Sequence, residues 1–556
     1  MNIWAAARAS RWPRRWRSGP GAPLAPALAL LFLLPPAAPA LAAQAPASAQ
    51  AAPSTAGPPP PPPGLSLLES VRLMLANDPN LVLAEARLLG AQGALSVQKG
   101  TFDTVASAST GYTDTRTPIL DFFAESETAL STTLSFTQEL RSGMTITPEV
   151  DLASTTLNAA ASGGVQEGIV NTAAVAFTLR QPLLRGRGAK AADAGERAAK
   201  REAQATNLDL RFTVTQRVLT VAGQYWTAVA ARLGLDLLRD HEASERQLLV
   251  TTRRLIAADV TPAAEAVQLE ADLASAEASR IAGENQLYKA RQDLGREIGL
   301  DGPHTAALAI PADPMPGPEA AAGLDTAGGG AGAGRFTAAA LRLRPDVQAA
   351  GLRLDETEIQ LVVAQNALLP QLDLVLKPNY SGLQGGGGIL SYLSPLVHQI
   401  PGLSSSLFLD LTWPVRNDTA YGQLLQARSS RQQNAALLEQ LRKSLGTDVP
   451  TAVDTVARSA QQLVRATQSV HLFERAVANE ERKLAAGSST LLDVITQRGR
   501  LLAAQQTEVG AELSLALALA QLRFDTGTLL ASAAGDQLQV EARRIVTVPT
   551  AEELAQ

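Results

Sequence analysis

The chain has 556 residues, a formal net charge of −5 at neutral pH and no cysteine. This acidic balance, with no Lys/Arg block beyond the extreme N-terminus, argues against nucleic-acid binding. The lack of cysteine excludes disulfides, thiolate metal sites, Cys nucleophiles and a lipid-carrying N-terminal Cys. Aromatic residues make up only 4% and charged residues 18%. With Ala so abundant, this composition favours long helices packed through small side chains over a compact aromatic core.

Residues 1–43 have the pattern of an export signal peptide. Several arginines precede the apolar run at 24–34, and a small-x-small cleavage site follows at 40–42. The alternative, a membrane anchor, is disfavoured because the run is short and contains a proline. Residues 44–64 form a Pro/Ala-rich spacer. No later stretch of about 20 apolar residues exists, so the mature chain is not expected to cross a membrane as helices; strands of about ten alternating residues could still do so.

Residues 65–300 are predicted to form the first of two structural repeats. Apolar spacing predicts a helix over 67–98 with a break at Asn77-Asp78-Pro79. Small or apolar residues then alternate with polar ones, as in strands. A very long helix follows, about 100 Å at 1.5 Å per residue, and a helix returns beside it. The predicted strands cover 105–115, 129–140, 144–155 and 171–184, and the helices cover 189–258 and 263–298.

A Gly/Ala/Pro-rich linker at 301–335 separates this repeat from the second, at 336–530, which follows the same scheme. Its first helix should break at Arg344-Pro345. Its long helix should be interrupted at Gly446 and Pro450, because proline removes a helix hydrogen bond. Residues 531–556 show no clear organisation. The predicted elements are helices at 336–367, 423–485 and 491–524 and strands at 371–381 and 405–415.

The two returning helices match position by position. Leu294 corresponds to Leu522 and Gly299 to Gly527, each pair 228 positions apart. The common register, the shared final glycine and the similar preceding tip indicate an internal duplication. The same spacing relates Leu273 to Leu501, Leu287 to Leu515 and Ala290 to Ala518.

The order of these segments resembles the outer-membrane efflux (TolC-like) family. Four segments carry the resemblance: "LSLLESVRLMLANDPNLVLAEARLLGAQG" at 65–93, "FTLRQPLLRGRG" at 177–188, "LYKARQDLGREIGL" at 287–300 and "LRPDVQAAGLRLDETE" at 343–358. The fold it implies is mainly α with a membrane β-barrel section. Long helical hairpins of a two-fold internal repeat would form an α-barrel, and strands from three chains would close a trimeric β-barrel.

The function that the resemblance implies is a passive exit duct, the outer-membrane channel of a tripartite efflux pump or a type I secretion system. Its partners would be two further copies in a homotrimer, a periplasmic adaptor (membrane fusion) protein, an inner-membrane transporter and outer-membrane lipid. It would lie in the outer membrane of a Gram-negative bacterium and extend into the periplasm, without a lipid anchor. The family usually supplies four strands per chain. The first half alone has four candidates here, so either some are not barrel strands or the barrel is larger.

The resemblance also assigns a role to the two hairpin tips, where an adaptor would dock. The residues concerned are Asp259, Val260 and Thr261 in the first tip and Gly487, Ser488, Ser489 and Thr490 in the second. The local alternative is that Ser488–Thr490 cap a helix N-terminus and that Gly487 ends the preceding helix.

Three further residues are candidates for a pore constriction near the tips. Asp493 matches the first of two gate acids in the family, Thr496 stands where the second would be, and Glu265 occupies the corresponding place in the first tip. A ring of three carboxylates would repel itself and attract cations. The alternative is a solvated acid in the first turn of a helix, stabilised by the helix dipole.

Enzymatic chemistry is not expected. The four histidines, His241, His304, His398 and His471, lack a second ligand at metal spacing. No Gly-x-Ser-x-Gly, HExxH or P-loop motif occurs, so neither a catalytic site nor a metal or cofactor is predicted. A different class of protein, a secreted or surface coiled-coil protein with a structural or adhesive role, would also suit the long helices and the spacer. Alternating segments at matching places in both halves favour the duct.

Overall fold

A computed structural model describes residues 64–119, 123–161, 164–257, 264–306, 308–324, 331–397, 403–486, 488–532, 538–539 and 541–555. The predicted signal peptide therefore lies outside the described residues. Residues 64–531 and 541–555 belong to one compact unit.

The first repeat contains the predicted helices and all four predicted strands, each strand longer than its sequence pattern indicated. Pro79 at the start of the second helix produces the predicted break, and Asp78 caps that helix through a 2.8 Å bond from the Asn80 N–H. The elements are α1 (Leu67–Asn77), α2 (Pro79–Gly100), β1 (Val105–Ile119), β2 (Phe123–Glu139), β3 (Thr145–Ala161), β4 (Gly164–Pro182), α3 (Ala189–Ala192), α4 (Ala194–Ala257), α5 (Ala264–Ile298) and α6 (Gly302–Ala306).

The second repeat also follows the predicted order, with short additional elements before it, between its two strands and after it. The elements are a 3-10 turn (Pro318–Ala321), α7 (Ala331–Leu343), α8 (Pro345–Asn366), β5 (Gln371–Gly385), α9 (Ile389–Leu393), a 3-10 turn (Ser394–Leu396), β6 (Ser404–Thr412), α10 (Asp418–Ala485), α11 (Leu491–Asp525), β7 (Ala531–Ser532), β8 (Leu538–Gln539), α12 (Ala542–Ile545) and α13 (Ala551–Ala555).

The predicted interruption at Gly446 and Pro450 is wrong, because α10 is continuous through both residues. Proline removes one backbone hydrogen bond, but Leu445, Val449 and Val456 around it are buried in the core of the second repeat. Burial of these three side chains is worth several kcal/mol, about 1.5–3 for each, and outweighs the lost bond.

The six long strands form one antiparallel sheet in the order β1-β2-β3-β4-β5-β6, which joins the strands of both repeats through the pairing of β4 with β5. Its two faces differ in chemistry because side chains alternate along each strand. One cross-strand row, Leu134, Val150 and Val175, is apolar. The adjacent row, which includes Thr133 and Asp151, is polar, and the Thr133 hydroxyl donates a 2.7 Å bond to the Asp151 carboxylate.

The helices pack in pairs along the two longest ones. Helix α4 packs against both α2 and α5, and α10 packs against both α8 and α11. The guanidinium of Arg217 on α4 joins the ends of α2 and α5, because it binds the carboxylates of Asp78 and, at 2.8 Å, Glu297. Arg344 at the start of α8 makes the equivalent link to Asp525 at the end of α11, at 3.5 Å. Both repeats therefore have a charged joint where two shorter helices meet beside a long one.

Two glycines support the duplication. Gly299 after α5 and Gly527 after α11 have φ angles of +83° and +73°, which side chains rarely adopt. A Cβ on Gly299 would lie 2.8 Å from the Asn77 carbonyl oxygen, and one on Gly527 would lie 3.0 Å from the Arg344 nitrogen. Each glycine thus lets a returning helix end against the break between the first two helices of its own repeat.

The C-terminal tail is more ordered than the sequence indicated. Val548 and Leu554 belong to the same core as Phe336, Leu515 and Leu519. The tail also receives Arg523, a fully buried side chain of α11, which donates 2.9 Å and 2.7 Å bonds to the Glu553 carboxylate and the Thr547 carbonyl. Among the residues that the structure describes, no helix is long and apolar enough to span a membrane.

Candidate functional site at the hairpin tips

The second hairpin tip is the short connection between α10 and α11. Helix α10 ends at Ala485 and α11 begins at Leu491. The Thr490 hydroxyl accepts the Asp493 N–H at 3.3 Å, and the Asp493 carboxylate accepts the Thr490 N–H at 3.2 Å. This reciprocal pair is a capping box, which fixes the direction in which α11 leaves the tip. The capping role predicted for this segment is confirmed for Thr490.

Asp493 has an exposed carboxylate that is nevertheless bonded within its own tip. The Thr490 hydroxyl donates to its Oδ2 at 2.6 Å, and Ser489 is 3.4 Å from the same oxygen. Hydrogen bonds from the Thr490 side chain and backbone lower the pKa of Asp493 below its ordinary value. The carboxylate is therefore charged at neutral pH. The bonds described here all go to Oδ2, so the cap does not prevent the carboxylate from also facing a pore.

Thr496 lies one turn further along α11 and is exposed. Its hydroxyl donates a 2.7 Å bond to the Leu492 carbonyl of its own helix. Glu265 lies in the first turn of α5 and is half-buried. The other predicted tip residues, Asp259, Val260 and Thr261 of the first tip and Gly487 of the second, lie outside the described residues.

A second tip acid, Glu480, was not identified from the sequence. Its carboxylate accepts a bond from the Ser489 hydroxyl and a 3.1 Å bond from Lys483. These two donors lower the pKa of Glu480 below its ordinary value. Ser489 therefore lies between two charged carboxylates, those of Glu480 and Asp493. No sequence pattern predicts which tip hydroxyl each of these acids meets.

Arg498 connects the two hairpins just beyond the tip. From α11 it donates a 2.6 Å bond to Glu481 on α10 and a 2.9 Å bond to the Ser244 hydroxyl on α4. The partner on α4 is 254 positions away in the chain. A movement that separates the hairpins would break this second bond.

Beside this link, Glu245 on α4 is buried, and neither carboxylate oxygen has a hydrogen-bond partner among the described residues. Burial raises its pKa above the ordinary value. His241, one turn earlier and 3.9 Å away, has a lowered pKa because of burial and the nearby charge of Arg498. Buried charged groups between α4 and α11 are therefore less well paired here than at the charged joints around Arg217 and Arg344.

The described residues contain no cluster of three or more His, Asp or Glu side chains that could hold a metal ion. The tip instead offers charged carboxylates and hydroxyls at its surface. This arrangement suits an electrostatic or docking role.

Comparison with known proteins confirms the resemblance to the outer-membrane efflux family. Residues 337–528, within the second repeat, match the family described as outer membrane efflux protein. No curated protein matches the chain.

Solved outer-membrane channels share the fold. The VceC protein of Vibrio cholerae has a TM-score of 0.57 and 16% identity, with 83% of this chain and 96% of that chain covered. The CmeC channel of Campylobacter jejuni has a TM-score of 0.56 and 15% identity, with 83% and 85% covered. The MtrE channel of Neisseria gonorrhoeae, in its open state, has a TM-score of 0.54 and 16% identity, with 83% and 88% covered. The predicted fold class is therefore confirmed: the chain is mainly helical, and its open sheet is consistent with part of a barrel.

Proposed function

We propose that this chain, whose second repeat matches the outer membrane efflux protein family and whose fold is shared with solved outer-membrane channels, forms a passive exit duct in the outer membrane of a Gram-negative bacterium. Three copies would enclose one water-filled passage. An inner-membrane transporter would supply the energy, and a periplasmic adaptor would connect it to the duct. The same duct would serve a tripartite efflux pump or a type I secretion system.

The observation that carries this proposal is the two-faced sheet joined to long helical hairpins. The apolar face bears large exposed side chains, including Phe136, Phe177, Leu409 and Leu411. In water, exposing them would cost about 25 cal/mol for each Å² of apolar surface. Against lipid this cost disappears, while the Thr, Ser and acidic side chains of the other face meet water in a lumen.

The free edges of the sheet support closure by further copies. In a membrane, unpaired strand N–H and C=O groups cost several kcal/mol each, so strands must close into a barrel. One chain leaves the outer edges of β1 and β6 without a strand partner among the described residues. Pairing with neighbouring copies satisfies both edges, and a homotrimer is the assembly that the family resemblance implies.

The tips would be the periplasmic end, where the adaptor docks and the passage narrows. Ser488, Ser489 and Thr490 present a short, polar, rigidly capped surface. Asp493 behind them is charged and exposed, so three copies would place three carboxylates around one axis and attract cations. Arg498 would hold the hairpins together in the closed duct through Ser244.

Purification and planar-bilayer recording test the duct. The protein should fractionate with the outer membrane, resist salt extraction and form detergent-solubilised trimers that conduct ions. A chain that stays monomeric and soluble without detergent would contradict the proposal and would favour a secreted coiled-coil protein.

The role of Asp493 has its own test within the same recordings. The Asp493→Asn variant should lose block by multivalent cations added on the tip side. Asp454→Asn, which removes an exposed acid of α10 that pairs with Arg458 at 2.6 Å, is the matched control and should retain the block. Equal block in wild type and both variants would mean that Asp493 does not line the constriction, and it would not contradict the proposed duct.

A further inference from the structure

The number of strands that one chain contributes differs from what the family resemblance implies. The family usually supplies four strands per chain, two from each repeat. Here the first repeat contributes β1, β2, β3 and β4, and the second contributes β5 and β6. All six are hydrogen-bonded in sequence order into a single antiparallel sheet.

Relative to the four strands that the family resemblance implies, β1 and β2 are the two additional strands, and both are integral parts of this sheet. The row Ala108, Leu134, Val150, Val175 and Tyr380 runs across β1 to β5 without a change of face. Because a shift of one residue would turn every side chain to the other face, this register places all five strands in one two-faced layer. The first two strands therefore continue the same two faces as the other four.

The helical part of the chain gives a width with which the barrel can be compared. Within one chain, α2 and α5 form one column beside α4, and α8 with α11 forms another between α4 and α10. The joints at Arg217 and Arg344 lie where the shorter helices of each column meet. One chain thus supplies four columns, and three chains supply twelve. At 8–10 Å between helix axes, twelve columns give a circumference of roughly 95–120 Å.

Two barrel sizes can be compared with this value. With strands about 4.8 Å apart and tilted by about 40°, eighteen strands give a circumference of about 113 Å and a diameter of about 36 Å. Twelve strands with the same spacing and tilt give only about 75 Å and a diameter of about 24 Å. The larger barrel continues the helical tunnel without narrowing.

We propose that the assembled duct has an eighteen-stranded barrel, in which β1 of each chain pairs with β6 of a second copy. This inference rests on the proposed trimer and adds the interface and its width. The exposed edges fit the pairing, since residues 105–116 of β1 and every residue of β6 are solvent-exposed in the single chain. The passage through the outer membrane would then be as wide as the helical tunnel. The tips, and not the barrel, would therefore limit which solutes pass.

Disulfide cross-linking tests the interface directly, because the chain has no cysteine of its own. Ser109→Cys on β1 is combined in turn with a cysteine at each residue of β6 from Ser404 to Thr412, which scans the unknown register. At least one pair should give covalent dimers and trimers under oxidising conditions. The matched control is Ala153→Cys on β3 with the same β6 series. It should give none, because β3 lies inside the sheet in an eighteen-stranded barrel.

The outcomes separate this inference from the proposed function. Cross-links from Ala153→Cys and none from Ser109→Cys would mean that β3 is the edge strand, the barrel has twelve strands and the inference is wrong, although the duct stands. Failure to find trimers by native mass spectrometry would overturn the proposed function itself. Electron cryo-microscopy of the wild-type trimer gives an independent strand count, with eighteen expected. Conductance is unsuitable for this purpose, since the tips and not the barrel would limit it.

Discussion

The Thr490 hydroxyl should stabilise the first turn of α11 and thus the second hairpin tip. It accepts the Asp493 N–H at 3.3 Å and donates to the Asp493 carboxylate at 2.6 Å. Replacing an N-cap threonine by alanine costs about 1 kcal/mol, within a range of roughly 0.5–2. Local opening of this turn should therefore become about fivefold more frequent in Thr490→Ala, because 1.4 kcal/mol corresponds to a factor of ten.

Hydrogen–deuterium exchange of the purified protein, followed by mass spectrometry of peptides covering 488–500, measures this opening. Thr490→Ser keeps the hydroxyl and should restore protection. Thr507→Ala is a matched control on the same helix, because the one hydrogen bond described for the Thr507 side chain goes to the Ala503 carbonyl, at 2.7 Å. The reasoning is refuted if Thr490→Ala exchanges like wild type, or if Thr507→Ala raises exchange of the tip peptides equally.

The same cap makes the protection depend on pH. Hydrogen bonds to Asp493 lower its pKa in the folded chain below its unfolded value, which is about 3.9 for an aspartate. The stabilisation is therefore complete above the unfolded pKa and is lost as pH falls through the folded pKa. Hydrogen–deuterium exchange of the tip peptides, corrected for the intrinsic exchange rate, should increase in wild type when the pH falls below about 4. It should not increase in this way in Asp493→Asn.

Three other changes should alter stability in defined directions. Gly527→Ala should lower the thermal unfolding temperature, because φ at this position is +73° and a Cβ would lie 3.0 Å from the Arg344 nitrogen. The control is Gly422→Ala in α10, where no atom lies within 4 Å of an added Cβ; it should leave the unfolding temperature unchanged or raise it. Arg523→Met should cost about 3–5 kcal/mol, because it leaves the Glu553 carboxylate and the Thr547 carbonyl without their buried partner, and chemical denaturation measures the loss. Glu245→Gln should stabilise the protein at neutral pH, because burial raises the pKa of this acid and disfavours its charged form. The gain in stability should vanish as pH falls below the ordinary pKa of glutamate, and thermal unfolding scans across pH measure this change.

Much of the fold follows from local signals in the sequence. Proline after a capping aspartate fixes the break at Asn77-Asp78-Pro79, and proline fixes the equivalent break at Arg344-Pro345. Period-two alternation identified all six long strands. Such signals act over a few residues, and they determine where an element begins or ends.

The features that the sequence did not predict depend on contacts between distant residues. The continuity of α10 through Pro450 results from burial of Val449 and Val456, and the order of the tail results from Glu553 meeting Arg523. The link from Arg498 to Ser244 joins the two repeats across 254 positions. None of these partners has a local pattern that indicates the other.

The distribution of buried charge along α4 indicates which end of the proposed duct can move. At the joint between α2 and α5, the Arg217 guanidinium is bonded to two carboxylates. Near the tip, Glu245 is buried without a hydrogen-bond partner among the described residues, and the only described bond between α4 and α11 there is that of Arg498 with Ser244. An unsatisfied buried carboxylate costs free energy in the packed state and regains hydration when the helices separate. Separation of the hairpins is therefore opposed less at the tip than at the joint. A duct built in this way would open by moving its tip-proximal halves while the joints and the sheet keep their positions.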